Sequence, residues 1–203
     1  MEEAGEVKGK RDDVRFIIDP LDGTTNFLHG LPHFASTVAV EERGEITAGV
    51  IYAPLTEELF WAEKGQGAYL NDTRLRVSGR NKMDSALLAT GVPFRGHGDH
   101  DKFIAEMKEF MPSIAGIRRF GAATLDLAYV AAGRFDGFWE SDLQPWDIAA
   151  GILMVKEAGG YVTDMKGGSS MLKTGNIIAA NDGLHAPIER VIKRVHRNIA
   201  AGG

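Results

Sequence analysis

The chain has 203 residues, 44% of them hydrophobic, a formal net charge of −5 at pH 7 and no cysteine. A chain of this length buries roughly 70% of its unfolded surface, enough for one compact unit or two small lobes. The lack of cysteine excludes disulfides, zinc–thiolate centres and thiol nucleophiles, and the acidic balance without a long basic run argues against a nucleic-acid partner. The first residues, Met1-Glu2-Glu3, have neither a cationic start nor an apolar leader core. No apolar run reaches the ~18 residues that span a bilayer. A soluble, cytoplasmic protein with no membrane contact is therefore expected, and any anionic substrate must be attracted by local cations.

Residues 1–15 are charged and weakly patterned, and Phe16-Ile17-Ile18 reads as a short buried strand ending at Asp19. Strands are expected over 34–40 and 46–52, joined at Glu41-Glu42-Arg43-Gly44. Further strands are expected at Leu59-Phe60-Trp61, Ala68-Tyr69-Leu70 and Leu75-Arg76-Val77. Turns this short join antiparallel neighbours. The character changes near Lys82. A strand over 86–90, a helix over 101–111 and a small-residue helix over 121–132 with Gly133 as its stop follow. Then come a short strand over 135–139 and the clearest helix, 145–158, with Pro in its first turn and Gly159-Gly160 at its end. Strands at 161–163 and 177–180 and a helix over 188–195 complete the chain. The pattern predicts a mixed α+β and α/β protein: a strand-rich lobe over 1–82, then an alternating α/β lobe over 83–203.

Two acidic stretches stand out. In Ile17-Ile18-Asp19-Pro20-Leu21-Asp22-Gly23-Thr24-Thr25-Asn26-Phe27, Pro20 restricts its own φ and the residue before it, and Asp22-Gly23 is a turn dipeptide. Such a turn can aim both carboxylates and the Leu21 carbonyl at one point, the oxygen donors that a hard cation such as Mg²⁺ takes. The N–H groups of Gly23 and Thr24 could then face an anion. A solvated Asp-Gly turn would have the same spacing. Asp147, in Pro145-Trp146-Asp147, falls in the first turn of the clearest helix, where the helix dipole alone favours an acid by about 0.3–1 kcal/mol. Neither stretch decides its role by itself.

Taken together, "IIDPLDGTTNFLHGLPHFA" and, far downstream, "WESDLQPWDIAAGILMVKEAGG" resemble the two signature stretches of the inositol monophosphatase family, in the same order and at a fitting separation. The resemblance covers nearly the whole chain. It implies the layered αβαβα architecture of the sugar phosphatases and an Mg²⁺-dependent phosphomonoesterase holding two or three ions. Asp19, Asp22, Asp147 and the Leu21 carbonyl would be metal ligands. Glu2 would be a further ligand and Glu3 would sit beside the metal-bound water. Thr24 would position the attacking water, the backbone at Gly23 and Thr24 would hold the phosphate, and Ala123 and Glu140 would contact the alcohol part of the substrate. The family reading gives the acids their purpose, since cations bridging them to a doubly charged phosphate neutralise the charge that develops and activate water.

The substrate expected from the resemblance is a small polyol phosphate, inositol-1-phosphate first, with histidinol phosphate and other sugar phosphates as rivals. A second reading is a non-catalytic regulatory partner of the transcription machinery, as for some bacterial relatives; a third is a metal binder that turns nothing over. A homodimer is the family's habit. Family members carry helices before the Glu-Glu pair, whereas this chain starts almost on it, so an uncovered sheet face and weakened activity are expected. The six histidines show no metal-binding spacing, and His29 and His33 are read as structural. Lys193-Arg194 with Arg197 reads as a solvated face.

Overall fold

A computed structural model describes residues 13–93 and 98–202. Chain order begins with β1 (Val14–Asp22), the short helix α1 (Thr24–Leu28), β2 (Ala35–Glu42), β3 (Glu45–Ala53), β4 (Glu58–Glu63), β5 (Gly67–Leu70) and β6 (Thr73–Arg74). These six strands form one antiparallel sheet in sequence order. Short turns make a meander the natural outcome. Between β2 and β3 the turn residues Arg43 and Gly44 both have positive φ, 52° and 81°, the twist that suits a right-handed hairpin.

The remaining elements are β7 (Leu87–Thr90), α2 (His100–Phe110), β8 (Gly116–Arg118), α3 (Ala123–Ala131), β9 (Gly137–Glu140), α4 (Pro145–Glu157), β10 (Tyr161–Thr163), α5 (Met171–Thr174), β11 (Ile177–Ala180) and α6 (Asp182–Gly202). The second sheet runs β10-β11-β9-β7-β8, antiparallel among β10, β11 and β9, and parallel from β9 through β7 to β8. Helices α3 and α4 lie between the two sheets, and α2 and α6 pack together on the far side of the second. The described residues thus build four successive layers, sheet, helices, sheet, helices, in the mixed α+β arrangement expected.

The first sheet lies wholly before residue 82 and the second wholly after it, yet they share a core. Ile51, Phe60, Leu127, Met154 and Ile177, drawn from both sheets and both middle helices, are all fully buried in one cluster. A second cluster, with Leu88, Phe110, Trp139 and Ile188, fills the space between the second sheet and α2/α6. There the buried Glu106 accepts from the Trp139 indole N–H at 2.9 Å and meets His196 Nε2 at 2.6 Å, so α2, β9 and α6 are tied by one carboxylate. The Lys193–Arg194 stretch on α6 is a solvated face with ion pairs to Glu189 and Glu109.

Three local expectations are corrected. Phe16-Ile17-Ile18 is not buried on both sides: Ile17 points into the core, while Phe16 is 63% and Ile18 48% exposed. Val50, Tyr52 and Leu59 of β3 and β4 are also exposed large hydrophobic residues. The strand expected at Leu75-Arg76-Val77 is instead Thr73–Arg74. Beyond it the Val77 N–H leaves the sheet to donate to the Ala158 carbonyl at the end of α4. The last helix spans Asp182–Gly202 rather than 188–195, because the Asn181 side chain caps it by accepting from the Leu184 N–H at 3.0 Å.

The helix α4 approaches the first sheet closely because β3 presents Gly49 to it. A Cβ at Gly49 would stand 2.9 Å from Ala150 Cα, a backbone atom that cannot yield without moving the helix. Gly49→Val is therefore expected to lower the unfolding free energy by about 2–3 kcal/mol, the cost of overpacking a filled interface. Urea unfolding of the variant beside the parent measures it, and an unchanged midpoint would show that α4 does not rest on the sheet at this point.

Candidate metal centre

The site begins where β1 ends. Register against β2 is regular to Asp19, opposite Thr37, but resumes with Asp22 opposite Ala35, so one extra residue bulges the edge strand. Pro20 sits in this bulge, where a ladder N–H is not needed. Asp19 is buried, and its Oδ1 accepts from the Leu21 N–H at 2.9 Å. The Pro20 carbonyl is held by the Ser36 hydroxyl at 2.7 Å, and the Leu21 carbonyl by the Thr24 hydroxyl at 2.9 Å. Gly23 then turns the chain into α1 with φ of 82°. A Cβ there would also meet the His33 carbonyl oxygen at 2.9 Å, so both conformation and space call for glycine.

Asp147 arrives from the other direction. It is the third residue of α4, and its Oδ2 accepts from the Gln144 N–H at 2.8 Å, as an acid in a helix's first turn does. Its cap role and its place in the site coexist. Oxygen atoms of Asp19, Asp22 and Asp147 all lie within 4.8 Å of one another. This is the convergence that the two acidic stretches made possible, across more than 120 residues of chain.

The electrostatics of this convergence is unsatisfied. Burial, and then the charge of Asp19, push Asp22 up from its ordinary value to about 6, against hydrogen bonds from Thr124 and Gly23 that pull it down. Burial and the charges of Asp22 and Asp147 push Glu140, on β9, to about 8, with Arg119 and the Gly91 N–H opposing. Asp126, on α3, is pushed well above the carboxylate range by burial and by Glu140 and Asp22, and its Oδ1 finds no hydrogen-bond partner among the described residues. Carboxylates that repel one another around a focus of three oxygen ligands are the donor set of a hard divalent cation, and the residues present fit Mg²⁺.

The structure brings Asp19, Leu21, Asp22, Gly23, Thr24, Glu140 and Asp147 to this region, with Ala123 at the start of α3, one residue before the Thr124 amide that donates to Asp22. The expected ligand Glu2 and its neighbour Glu3 lie outside the described residues. Thr124, Asp126 and Arg119 were not anticipated. Asp126 alone left a trace, as the single charge in an otherwise uncharged helix. His33 packs on Phe120 and Tyr129, and burial lowers its basicity.

Comparison with known proteins agrees with the geometry. The model of the inositol monophosphatase family matches residues 1–200. The chain is 53% identical over 193 residues to an inositol-1-monophosphatase of Rhizobium meliloti, covering 95% of this chain and 73% of that protein. It is 48% identical over 198 residues to the Nus factor SuhB of Escherichia coli K12, covering 98% of this chain and 72% of that one. Among solved structures, the extragenic suppressor protein suhB of Bartonella henselae superposes with a TM-score of 0.91 at 54% identity, covering 95% of this chain and 75% of that one.

The charge imbalance has a pH signature. A carboxyl raised in the folded state binds its proton more tightly there than in the unfolded chain, so its contribution to stability is present below its ordinary value near 4 and is lost as pH rises through the folded value. For Asp22 and Glu140 that window runs from about pH 4 to about 6 and about 8 respectively. In EDTA, the melting temperature of the parent is expected to fall relative to Asp22→Asn as pH rises from 5 to 8. Added Mg²⁺ should raise the parent at pH 8 far more than the variant. Parallel pH profiles for the two proteins would show that Asp22 carries no such strain.

Proposed function

The chain belongs to the inositol monophosphatase family and is a phosphatase, and on that premise we propose that it hydrolyses a small polyol phosphate monoester, inositol-1-phosphate first, in an Mg²⁺-dependent reaction. The observation that carries this reading is the meeting of Asp19, Asp22 and Asp147 oxygens within 4.8 Å at the bulged end of β1 and the start of α4. When bound, Mg²⁺ supplies charge neutralisation for the phosphoryl group and lowers the pKa of a coordinated water.

The chain's own residues divide the remaining work. The carboxylates of Asp19, Asp22 and Asp147 and the Leu21 carbonyl hold the cation, with Glu2 and Glu3 assigned their parts by the family resemblance. Thr24 donates its hydroxyl proton to the Leu21 carbonyl, and since a hydroxyl can donate and accept at once, Thr24 is assigned the orienting of the attacking water. The Leu21 carbonyl has two lone pairs and can serve both Thr24 and a cation. The family resemblance assigns the phosphate to the backbone at Gly23 and Thr24, where the Gly23 N–H also donates to the Asp22 carboxylate. The alcohol part of the substrate falls to Ala123 at the head of α3 and to Glu140 on β9. Both stand on rigid, buried elements rather than loops, as a positioned substrate requires.

The relative named Nus factor SuhB favours a second reading, a part in transcription through a protein partner. The two readings separate on Asp147→Asn: binding to purified RNA polymerase that survives this substitution supports the second, since catalysis should not.

The first reading is tested by phosphate release from inositol-1-phosphate. Release should require Mg²⁺ and fall by more than about a hundredfold in Asp22→Asn and in Asp147→Asn, because loss of a direct ligand exceeds the roughly 10–100-fold loss seen for outer partners. Release in EDTA, or full activity in either variant, would overturn it.

A further inference from the structure

Asp22 is held by a residue from another layer of the fold. Its Oδ2 accepts both the Thr124 N–H, at 2.9 Å, and the Thr124 hydroxyl, at 2.5 Å, from 102 residues away. Thr124 is 1% exposed and lies in the first turn of α3, a helix whose residues from 123 to 131 are all buried except Tyr129. The residue in the N-cap position, Ala122, has no side chain that can cap, and α3 shows no side-chain cap of its own. Asp22 serves as that cap from the end of β1.

We propose that Thr124 is the positioning residue of the centre: its hydroxyl fixes the rotation of the Asp22 carboxylate so that Oδ1 faces the cation. This rests on the metal reading given above. A carboxylate's terminal torsion is broad and close to two-fold, so an Asp at the start of a turn does not choose its orientation unaided. The two Thr124 donors on Oδ2 act beside the Gly23 N–H, and Thr124 is the one of these groups that comes from outside the turn. The other two acids also accept donors from the protein, Asp19 the Leu21 N–H on Oδ1 and Asp147 the Gln144 N–H on Oδ2. Those two donors are backbone groups close in sequence. Thr124 differs in being a side-chain donor fixed to α3, which packs on α4, the helix that carries Asp147; Leu127 of α3 lies so close to Gly151 of α4 that a Cβ there would meet it at 2.5 Å. Through Thr124, the Asp22 carboxylate is tied to the packing of α3 on α4 as well as to the turn at Gly23.

The test deletes the hydroxyl and keeps the shape. Mg²⁺ binding is measured by isothermal titration calorimetry for the parent, Thr124→Val and Thr124→Ser, with melting temperatures in EDTA alongside. Thr124→Val should weaken Mg²⁺ binding about tenfold or more, as loss of an outer-shell partner does, and Thr124→Ser should restore it to within about threefold of the parent. A Mg²⁺ affinity within about twofold of the parent in Thr124→Val overturns the proposal, even if its melting temperature in EDTA has dropped. So does a Thr124→Ser variant that binds as weakly as Thr124→Val. Thr124→Ala, which also keeps the amide donor, is read by the same criterion if the valine variant does not fold. A parent chain that binds no Mg²⁺ overturns the metal reading itself and this inference with it, a failure distinct from an unaffected valine variant.

Discussion

Mutual repulsion among buried carboxylates is the constraint on which the site depends. Asp19, Asp22 and Asp147 are brought within 4.8 Å, with Glu140 and Asp126 close enough to feel their charge. No cluster of acids assembles itself, so the rest of the fold must hold it against the repulsion. The holding elements are those least able to give way: the edge strand of a six-stranded sheet, and two helices sandwiched between sheets. Gly49 matters to function for this reason, since it lets α4, and so Asp147, come close to the sheet that carries Asp19 and Asp22.

What could be read from the chain alone was what is local along it. Asp19 and Asp22 are separated by one restricted turn, and Asp147 opens a helix whose proline, apolar stripe and closing glycines are contiguous. Such signals survive without a structure because the physics that sets them acts over a few residues. The meander was readable for the same reason, its turns being short and rich in glycine and asparagine. Thr124, Asp126 and Arg119 were not, because their roles come from packing between segments up to a hundred residues apart. In a stretch of small residues Thr124 looks like any packing residue; nothing nearby shows that it will meet Asp22.

The errors have the same origin at other scales. Three consecutive apolar residues at Phe16-Ile17-Ile18 suit a strand covered on both faces as well as one covered on a single face, and the choice depends on what stands opposite. β8 and α5, of three and four residues, are too short to establish a period. The final helix begins earlier than its apolar stripe because the cap at Asn181, not the stripe, decides where it starts.

Several groups at the centre are held by donors or acceptors from elsewhere in the fold. The Thr24 hydroxyl donates to the Leu21 carbonyl. Asp147 takes the Gln144 N–H on Oδ2, and Asp22 takes both Thr124 donors on Oδ2 while forming the cap of α3. A donor on the oxygen meant for the cation would compete with it. A donor on the other oxygen stabilises the ionised form and fixes the direction of the remaining lone pairs without competing. On the metal reading proposed above, the cluster would be oriented before any cation arrives, with its charge left for the cation to neutralise.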